Sequence, residues 1–207
     1  MSSNFENAAT FYDSLSRLVY GNALLKAQGC FLHYIKPDSR ILIIGGGTGK
    51  IIEQIASLYN EGLSITYVEV SERMMALSQK RSAGRNDVTY INKPIEEAVF
   101  DGQFDVVITS FFFINFKQDN LESHFKHIHG FLKPGGCWLN TDFQSTGKWW
   151  QYFLLKSMFF FFKVICNIET TQLPKTEESF SQYKYCLVNE RTFFRDFIKA
   201  SVFSKML

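Results

Sequence analysis

The sequence lacks the features that mark metal-binding, disulfide-bonded and nucleic-acid-binding proteins. Its four cysteines are widely scattered and include no C-x-x-C pair, which argues against a zinc site or a disulfide framework and fits a reducing cytosol. The net charge is only +2 and no dense run of lysine or arginine occurs, so nucleic acid is not an expected partner. We therefore expect a protein that works without a bound metal.

A secretory signal and a membrane-spanning segment are also missing. The segment Met1–Asn7 has no basic region followed by an apolar stretch. The longest apolar region, residues 149–165, contains Lys156 and Lys163 and falls short of the roughly 20 residues that span a bilayer. These absences favour a cytoplasmic protein. No Ser-His-Asp or Cys-His arrangement can be argued from residue order, so no catalytic residue is predicted.

Phenylalanine is what the sequence has in quantity. It accounts for 22 of the 207 residues and is concentrated at positions 111–113 and 159–162. Hydrophobic residues make up 46% of the chain and charged residues 20%, which is typical of a globular protein with a substantial core. The phenylalanines are expected to serve core packing, an apolar ligand pocket, or both.

Strand and helix patterns alternate along most of the chain. Strands are predicted at residues 40–44, 63–70, 88–91, 104–110 and 137–142, followed by a hairpin of 185–191 and 197–205. Helices are predicted at residues 11–33, 50–59, 72–82, 118–132 and 149–165. The alternation with short connections predicts an α/β fold with a doubly wound, mostly parallel sheet.

The most informative segment is the glycine cluster between the first strand and its helix. Gly45, Gly47 and Gly49 permit a tight turn and let the backbone approach a ligand closely. The exposed amides at the start of the following helix favour an anionic group. The cluster therefore predicts a nucleotide-like cofactor.

Two common nucleotide-binding patterns do not fit this cluster. The dinucleotide pattern G-x-G-x-x-G fails because Lys50 stands where the third glycine belongs. The P-loop pattern fails because Ile44 and Ile51 occupy its first glycine and its hydroxyl position. What remains is G-x-G-x-G after a hydrophobic strand, which resembles the first motif of class I S-adenosylmethionine-dependent methyltransferases. A glycine-rich turn without a ligand is the alternative.

Glu69 is the second marker, 20 residues beyond Gly49 at the end of the predicted second strand. A carboxylate there can accept two hydrogen bonds from a ribose diol. The alternative is an ordinary charged residue at a strand end. The resemblance further implies that Val70 and Met74 lie beside the adenine, and core packing is the alternative for Met74.

Two later segments extend the resemblance over residues 41–142. Residues 104–108 resemble the fourth strand of the family, and residues 132–136 resemble its turn into strand five. The family's Rossmann-like sheet usually has seven strands with the last antiparallel, which the C-terminal hairpin matches. We expect one domain with four parts, namely a helical cover (1–36), a cofactor-binding core (40–142), a Phe-rich helical insertion (148–182) and a C-terminal hairpin (183–207).

The leading helix also looks like those of small-molecule methyltransferases, broadly similar to those of quinone biosynthesis. Tyr12 and Tyr20 on this helix would approach the methionine moiety, or else be ordinary residues of an amphipathic helix. The residues that the resemblance implies for binding S-adenosylmethionine are Gly45, Gly46, Gly47, Thr48, Gly49, Glu69, Val70, Met74, Pro94, Ile95, Ser110, Tyr12 and Tyr20.

Two positions depart from the family's pattern. Ile43 stands where many members carry an acid that serves the cofactor's ammonium group, and Pro94 stands near the acid that reads the adenine amine. The ammonium would then depend on backbone carbonyls near Gly45 and on Ser110, while Glu96 could reach the adenine. These departures leave open an inactive cofactor site.

Two further segments have competing interpretations. His124 and His127 share one face of a predicted helix and His129 does not, so a solvated helix face is expected rather than a metal site. The helix at 148–165 carries a narrow stripe with three lysines and is otherwise mostly large and apolar. It is expected to pack in the core, to cover a hydrophobic acceptor, or to contact a membrane surface.

The resemblance implies methyl transfer to a small, apolar or amphipathic acceptor by in-line attack on the sulfonium methyl. Asp142 and Tyr20 are expected near the acceptor, and neither is assigned a catalytic role. One alternative is a catalytically inactive interaction module. Another is an aminopropyltransferase, because Gly45-Gly-Gly47 resembles the loop of that branch, although residues 110–115 are apolar where a polyamine needs an acidic pair.

Overall fold

A computed structural model describes residues 12–166 and 170–206 of the chain. Its centre is one seven-stranded sheet with the order β3-β2-β1-β4-β5-β7-β6. The strands are β1 (Arg40–Ile44), β2 (Glu61–Val68), β3 (Arg85–Ile91), β4 (Phe104–Ser110), β5 (Leu132–Phe143), β6 (Tyr185–Phe193) and β7 (Ile198–Lys205).

The sheet confirms the predicted fold class. Strands β1 to β5 pair in parallel, and β7 is antiparallel to both β5 and β6. The register places Ile43 opposite Tyr67 on one side and opposite Ile108 on the other. The chain thus winds outward in both directions from β1, and ligands of such sheets bind beyond the carboxyl ends of the strands at this switch point.

Helices cover both faces of the sheet. The α-helices of the described residues are α1 (Tyr12–Tyr20), α2 (Ala23–Gly29), α3 (Lys50–Leu58), α4 (Glu72–Ser78), α5 (Gln118–Phe131), α6 (Trp149–Cys166) and α7 (Thr176–Gln182). Short 3-10 helices occupy Leu32–Tyr34, Ile95–Glu97 and Phe113–Asn115. None of the helices in the described residues is long and apolar enough to cross a membrane.

The alternating side chains of β1 show why both faces are covered. Ile41 and Ile43 pack in one core layer with the buried isoleucines of α3, whereas Leu42 and Ile44 pack in the other with Phe125 of α5. These four side chains are at most 1% exposed. A continuous apolar run is therefore the sequence signature of a central parallel strand.

The N-terminal helix prediction is wrong in its extent. The expected helix at 11–33 is interrupted at Gly21, whose φ of +59° ends α1, and the chain continues as α2 and a 3-10 turn. Glycine adopts this left-handed backbone conformation with little strain, so it separates two helices where periodicity alone indicates one.

Other boundaries also differ from the predicted ones. The β2 strand begins at Glu61 and ends at Val68, and α4 ends at Ser78 rather than near Ser82. The segment 132–136, expected as a turn, is the irregular beginning of β5, where the register with β4 shifts. Pairing with a neighbouring strand extends the beginnings of β2 and β5, and such pairing is not visible in the local sequence pattern.

The α7 helix was not predicted. Its sequence is polar, with Phe180 as its one large apolar residue, and it follows Pro174. Phe180 is 1% exposed and stacks on Phe203 of β7 with ring centroids 3.7 Å apart. One aromatic anchor thus stabilises a helix that is too short for a periodic pattern.

Candidate functional site

The loop between β1 and α3 is shaped by three glycines in left-handed conformations. The φ angles of Gly45, Gly47 and Gly49 are +64°, +62° and +78°. A side chain at any of these positions strains the backbone, which explains the spacing of the glycines. The Gly45 amide donates to the Val68 carbonyl oxygen at 2.9 Å, so the loop begins as an extension of the sheet.

The surroundings of the four glycines differ. A Cβ at Gly46 would lie 2.4 Å from the Tyr67 ring, and one at Gly49 would lie 2.6 Å from the Ser78 Cα. A Cβ at Gly45 would meet the Phe112 ring at 2.9 Å. At Gly47 no described atom would lie within 4 Å. Three glycines therefore permit internal packing, and Gly47 alone of the four faces open space at the carboxyl edge of the sheet.

Glu69 links this loop to the next helix. It is 6% exposed, and its Oε2 accepts a hydrogen bond from the Gly47 amide at 3.0 Å. Its Oε1 accepts from the Ser71 amide at 2.9 Å, beside the first turn of α4. An ionised carboxylate has about four acceptor sites, so a ligand hydroxyl can be added to these two bonds. The carboxylate is fixed beside the open side of Gly47.

Tyr67 packs against the glycine loop and is not among the predicted site residues. Its hydroxyl donates to the Gly47 carbonyl oxygen at 2.9 Å, while its ring fills the space beneath Gly46. Burial, and secondarily the charge of Glu69, raise the pKa of Tyr67, so the phenol stays protonated and remains a donor. The sequence signal for this role is an aromatic residue two positions before Glu69.

Arg81 closes the loop on its other side. Its Nε donates to the Thr48 carbonyl oxygen at 2.9 Å. Thr48 is 5% exposed, so the structure places this predicted site residue inside the loop rather than on its open side. Arg81 follows α4 in the chain, and the close approach of Ser78 at the end of α4 to Gly49 brings it here.

The segment after β2 places two predicted residues differently. Val70 is 43% exposed, whereas Met74 is 4% exposed and its amide donates to the Ser71 Oγ at 3.2 Å. Asn92, which follows β3, donates from Nδ2 to the Glu69 carbonyl oxygen at 2.7 Å and more weakly to that of Val70. The loops after β2 and β3 are therefore tied together at the edge where the ligand is expected.

The segment after β3 contains Pro94, Ile95 and Glu96. Ile95 is buried, and Pro94 begins the short helical turn that contains it. Glu96 Oε1 lies 2.6 Å from His124 Nε2 of α5, and this hydrogen bond lowers the pKa of Glu96. The expectation that Glu96 reaches an adenine amine is not supported, because its carboxylate is paired with α5.

The three histidines of α5 have separate partners. His124 contacts Glu96, His127 Nε2 lies 3.1 Å from the Ile95 carbonyl oxygen, and His129 Nδ1 lies 2.9 Å from the Tyr185 hydroxyl. No group of three or more possible metal ligands occurs within the ranges that the structure describes. The expected solvated face is in fact a set of contacts that attach α5 to two neighbouring segments.

The loop after β4 is held in an unusual conformation. Ser110 ends β4, and Phe111 has a φ of +54°, which is uncommon for a residue with a bulky side chain. The Phe111 amide donates to the Thr141 carbonyl oxygen at 2.7 Å, and Asn115 Nδ2 donates to the Phe111 and Phe112 carbonyl oxygens. These bonds fix the loop beside the glycine cluster.

The phenylalanines of this loop diverge instead of lining one pocket. Phe112 packs against Gly45, and Phe113 is fully buried against Trp138 and Phe125. Phe111 alone contacts Phe143, with ring centroids 4.8 Å apart. Phe113 therefore serves core packing, which is one of the two roles expected for the phenylalanines.

Tyr20 lies in an aromatic cluster at the same edge. Its ring centroid is 5.5 Å from that of Phe143 and 5.3 Å from that of Phe194, and its hydroxyl donates to Met158 Sδ of α6 at 3.5 Å. The helix of Tyr12 is described, but its side chain lies outside the described residues. The structure thus brings α1, α6 and the end of β5 together around Tyr20.

Known proteins resemble this chain in the region that contains these contacts. The model of the methyltransferase domain family matches residues 41–136. The ubiquinone/menaquinone biosynthesis C-methyltransferase of Ectopseudomonas mendocina is 28% identical over 152 residues, which cover 70% of this chain and 58% of the relative. A putative methyltransferase of Bacillus subtilis is 32% identical over 113 residues, which cover 53% of this chain and 44% of the relative. The chain spans about half the length of these curated relatives.

A solved structure shows the same fold over nearly the whole chain. The crystal structure of Burkholderia thailandensis 1,6-didemethyltoxoflavin-N1-methyltransferase, with 1,6-didemethyltoxoflavin and S-adenosylhomocysteine bound, superposes with a TM-score of 0.67. The match covers 97% of this chain and 85% of the other at 15% sequence identity. The fold is thus shared although few residues are.

Proposed function

We propose that this chain transfers a methyl group from S-adenosylmethionine to a small, apolar or amphipathic acceptor, because the model of the methyltransferase domain matches residues 41–136. The observation that carries the proposal is the pairing of Glu69 with the open side of Gly47. A buried carboxylate and an unobstructed backbone there fit a ribose diol and the chain attached to it.

Three groups of residues would hold the cofactor. The glycine loop, with Thr48 inside it, would hold the methionine moiety, together with Ser110, Tyr20 and Tyr12. Glu69 would accept hydrogen bonds from the ribose hydroxyls. The adenine would be bordered by Val70, Met74, Pro94 and Ile95. When bound, S-adenosylmethionine supplies an electrophilic methyl group on a sulfonium centre.

The chain's own contribution is positioning and exclusion of water. Glu69 and Tyr67 hold both polar groups of the Gly47 backbone, so the loop needs little rearrangement on binding. The aromatic rings of Tyr20, Phe111 and Phe143 form an apolar wall at the same edge. Such a wall favours in-line approach of an apolar acceptor and keeps water from the sulfonium.

Two observations support an acceptor of apolar character, namely this wall and the name of a relative. The surroundings of Tyr20 are aromatic and apolar, and the Ectopseudomonas relative is named for quinone biosynthesis. Both support an acceptor with a large apolar part. Retained cofactor binding without transfer to any metabolite pool would favour an inactive module, and activity on putrescine would favour aminopropyl transfer.

Isothermal titration with S-adenosylhomocysteine tests the cofactor site. Gly47→Arg fills the open side of the loop, so we expect binding to be lost. Gly147→Arg is the matched control, because Gly147 also has a positive φ and open space around it but lies in the segment before α6. Equal binding by both variants, or no binding by the unmodified protein, would contradict the proposal.

We also propose that α6 contacts an anionic membrane surface. Five large side chains on one side of this helix are exposed to between 54% and 75%, namely Trp149, Tyr152, Phe153, Phe160 and Val164. Lys156 and Lys163 lie among them, and residues 149–166 include no aspartate or glutamate. Aromatic and apolar side chains with lysines on the same face favour the interface of an anionic bilayer.

Co-sedimentation with phosphatidylglycerol–phosphatidylcholine vesicles tests this contact. Phe153→Ser and Phe160→Ser should each lower the bound fraction, and vesicles of phosphatidylcholine alone should bind less. Leu187→Ser is the control, because Leu187 is 51% exposed on β6. Unchanged sedimentation of both α6 variants would refute the contact and leave the cofactor proposal in place.

A further inference from the structure

A cavity of about 330 Å³ lies under α7 at the carboxyl end of β5. This volume is within the usual range of small-molecule sites. Its wall includes Asn140 and Asp142 of β5, Lys199 and Ser201 of β7, and the stacked rings of Phe180 and Phe203. One side is thus polar and the other aromatic.

Asp142 is the unusual member of this wall. It is 8% exposed, and its Oδ1 accepts a hydrogen bond from the Phe143 amide at 2.9 Å. Its Oδ2 is buried and has no hydrogen-bond partner among the described residues. Burial raises the pKa of Asp142 to about 7, although the amides of Phe143, Ile114 and Phe113 favour the ionised form.

Lys199 lies opposite Asp142 on the neighbouring strand β7, but its ammonium does not pair with Asp142. Lys199 is the register partner of Asp142, as Ser201 is of Asn140. The ammonium of Lys199 forms an ion pair with Glu177 of α7 instead. Burial of Lys199 lowers its pKa, because it disfavours the charged form of the side chain. The fold therefore has a cation close by that does not satisfy Asp142.

The cavity also adjoins the aromatic wall described above. Phe143 lines the cavity, and its ring contacts both Tyr20 and Phe111. The cavity therefore lies next to the residues that are proposed to contact the acceptor. A buried acceptor without a partner costs free energy that a ligand's donor can recover.

We propose that this cavity is a subsite for a hydrogen-bond-donating group, a hydroxyl or an amine, carried on the apolar body of the methyl acceptor, with Asp142 as its partner. The aromatic rings of Phe180 and Phe203 contact the apolar part, and the carboxylate selects ligands that have a donor. The assignment to the acceptor rests on the proposed methyl transfer, whereas the binding of a donor group stands on the cavity alone.

Phenol and anisole, its methyl ether, are matched probes for this site. They differ in one O–H donor. Titration followed by the backbone amide resonances of Ser201 and Phe203 measures binding of each probe to the unmodified protein. At about pH 8, where most of Asp142 is ionised, a hydrogen bond to the carboxylate predicts about tenfold tighter binding of phenol. Equal affinities would overturn the proposal without any variant.

Two substitutions identify the responsible group. Asp142→Asn keeps the shape but places an amide in the wall, so the preference for phenol should fall toward parity. Lys199→Met should keep the preference. Loss of the preference in Lys199→Met but not in Asp142→Asn would overturn the role of Asp142. S-adenosylhomocysteine titrations of the same samples separate the outcomes, because unchanged cofactor binding with no phenol preference refutes only the subsite.

Discussion

The glycine loop and the cavity under α7 lie at the same edge of the sheet, but they differ in how far their polar groups are hydrogen-bonded within the protein. In the loop, the Gly47 amide and carbonyl and both oxygens of Glu69 have partners within the protein. In the cavity, one oxygen of Asp142 has none among the described residues. The loop is ordered before a ligand arrives, whereas the cavity retains a hydrogen-bonding capacity that a ligand can use.

The largest expected effect comes from the cavity and depends on pH. Because burial raises the pKa of Asp142 from 3.8 to about 7, the folded state binds a proton that the unfolded state has released between these values. The free energy of unfolding should therefore fall as pH rises from 4 to 7, by on the order of 4 kcal/mol from this group.

Urea unfolding of the unmodified protein and of Asp142→Asn across this pH range measures the difference. The amide introduced by the substitution does not titrate, so the unmodified protein should lose stability relative to the variant as pH rises. A difference that is constant with pH would show that Lys199 or water already compensates the carboxylate, and the contrast between the two regions would disappear.

The next effect separates two neighbouring glycines of the loop. Gly46→Ala places a Cβ against the Tyr67 ring, so it should lower the free energy of unfolding by about 1–3 kcal/mol through overpacking. Gly47→Ala meets no described atom and should cost about 1–2 kcal/mol through its positive φ alone.

Thermal unfolding and S-adenosylhomocysteine titration together distinguish these two costs. Gly46→Ala should move Tyr67 and weaken binding through the displaced loop. Gly47→Ala should leave the loop's partners in place. Equal losses of binding in both variants would mean that Tyr67 does not determine the shape of the loop.

The smallest effect is expected from Tyr67→Phe. This change removes one hydroxyl that donates to the Gly47 carbonyl oxygen and keeps the ring under Gly46. A neutral hydrogen bond contributes about 0.5–1.5 kcal/mol, so we expect a loss of stability in that range and a modest loss of cofactor affinity. A loss as large as that of Gly46→Ala would show that the hydroxyl, rather than ring packing, controls the loop.

The parts of the site that could be predicted depend on local backbone requirements. Gly45, Gly47 and Gly49 were identified because a left-handed turn needs glycine, and Glu69 because parallel strands bring the loops after β1 and β2 to one edge. The fold class followed from the alternation of strands and helices, and the sheet order confirmed it.

The parts that were missed depend on contacts between distant segments. Arg81 and Asn92 are ordinary polar residues in the sequence, and only tertiary packing brings them to carbonyl oxygens of the site loops. The α7 helix depends on the burial of Phe180, whose ring contacts rings of α5, β5 and β7. The raised pKa of Asp142 arises from burial, which a strand-end position does not indicate.

The aromatic side of α6 has a consequence for the handling of the purified protein. Without lipid, Trp149, Phe153 and Phe160 must be hydrated, and any hydrophobic surface that covers them lowers the free energy. Two molecules that pair through this helix, or one molecule adsorbed to plastic, would achieve this. The apparent molecular mass should therefore decrease when a mild detergent is added, and dimers seen in plain buffer would reflect exposed α6 rather than a native assembly.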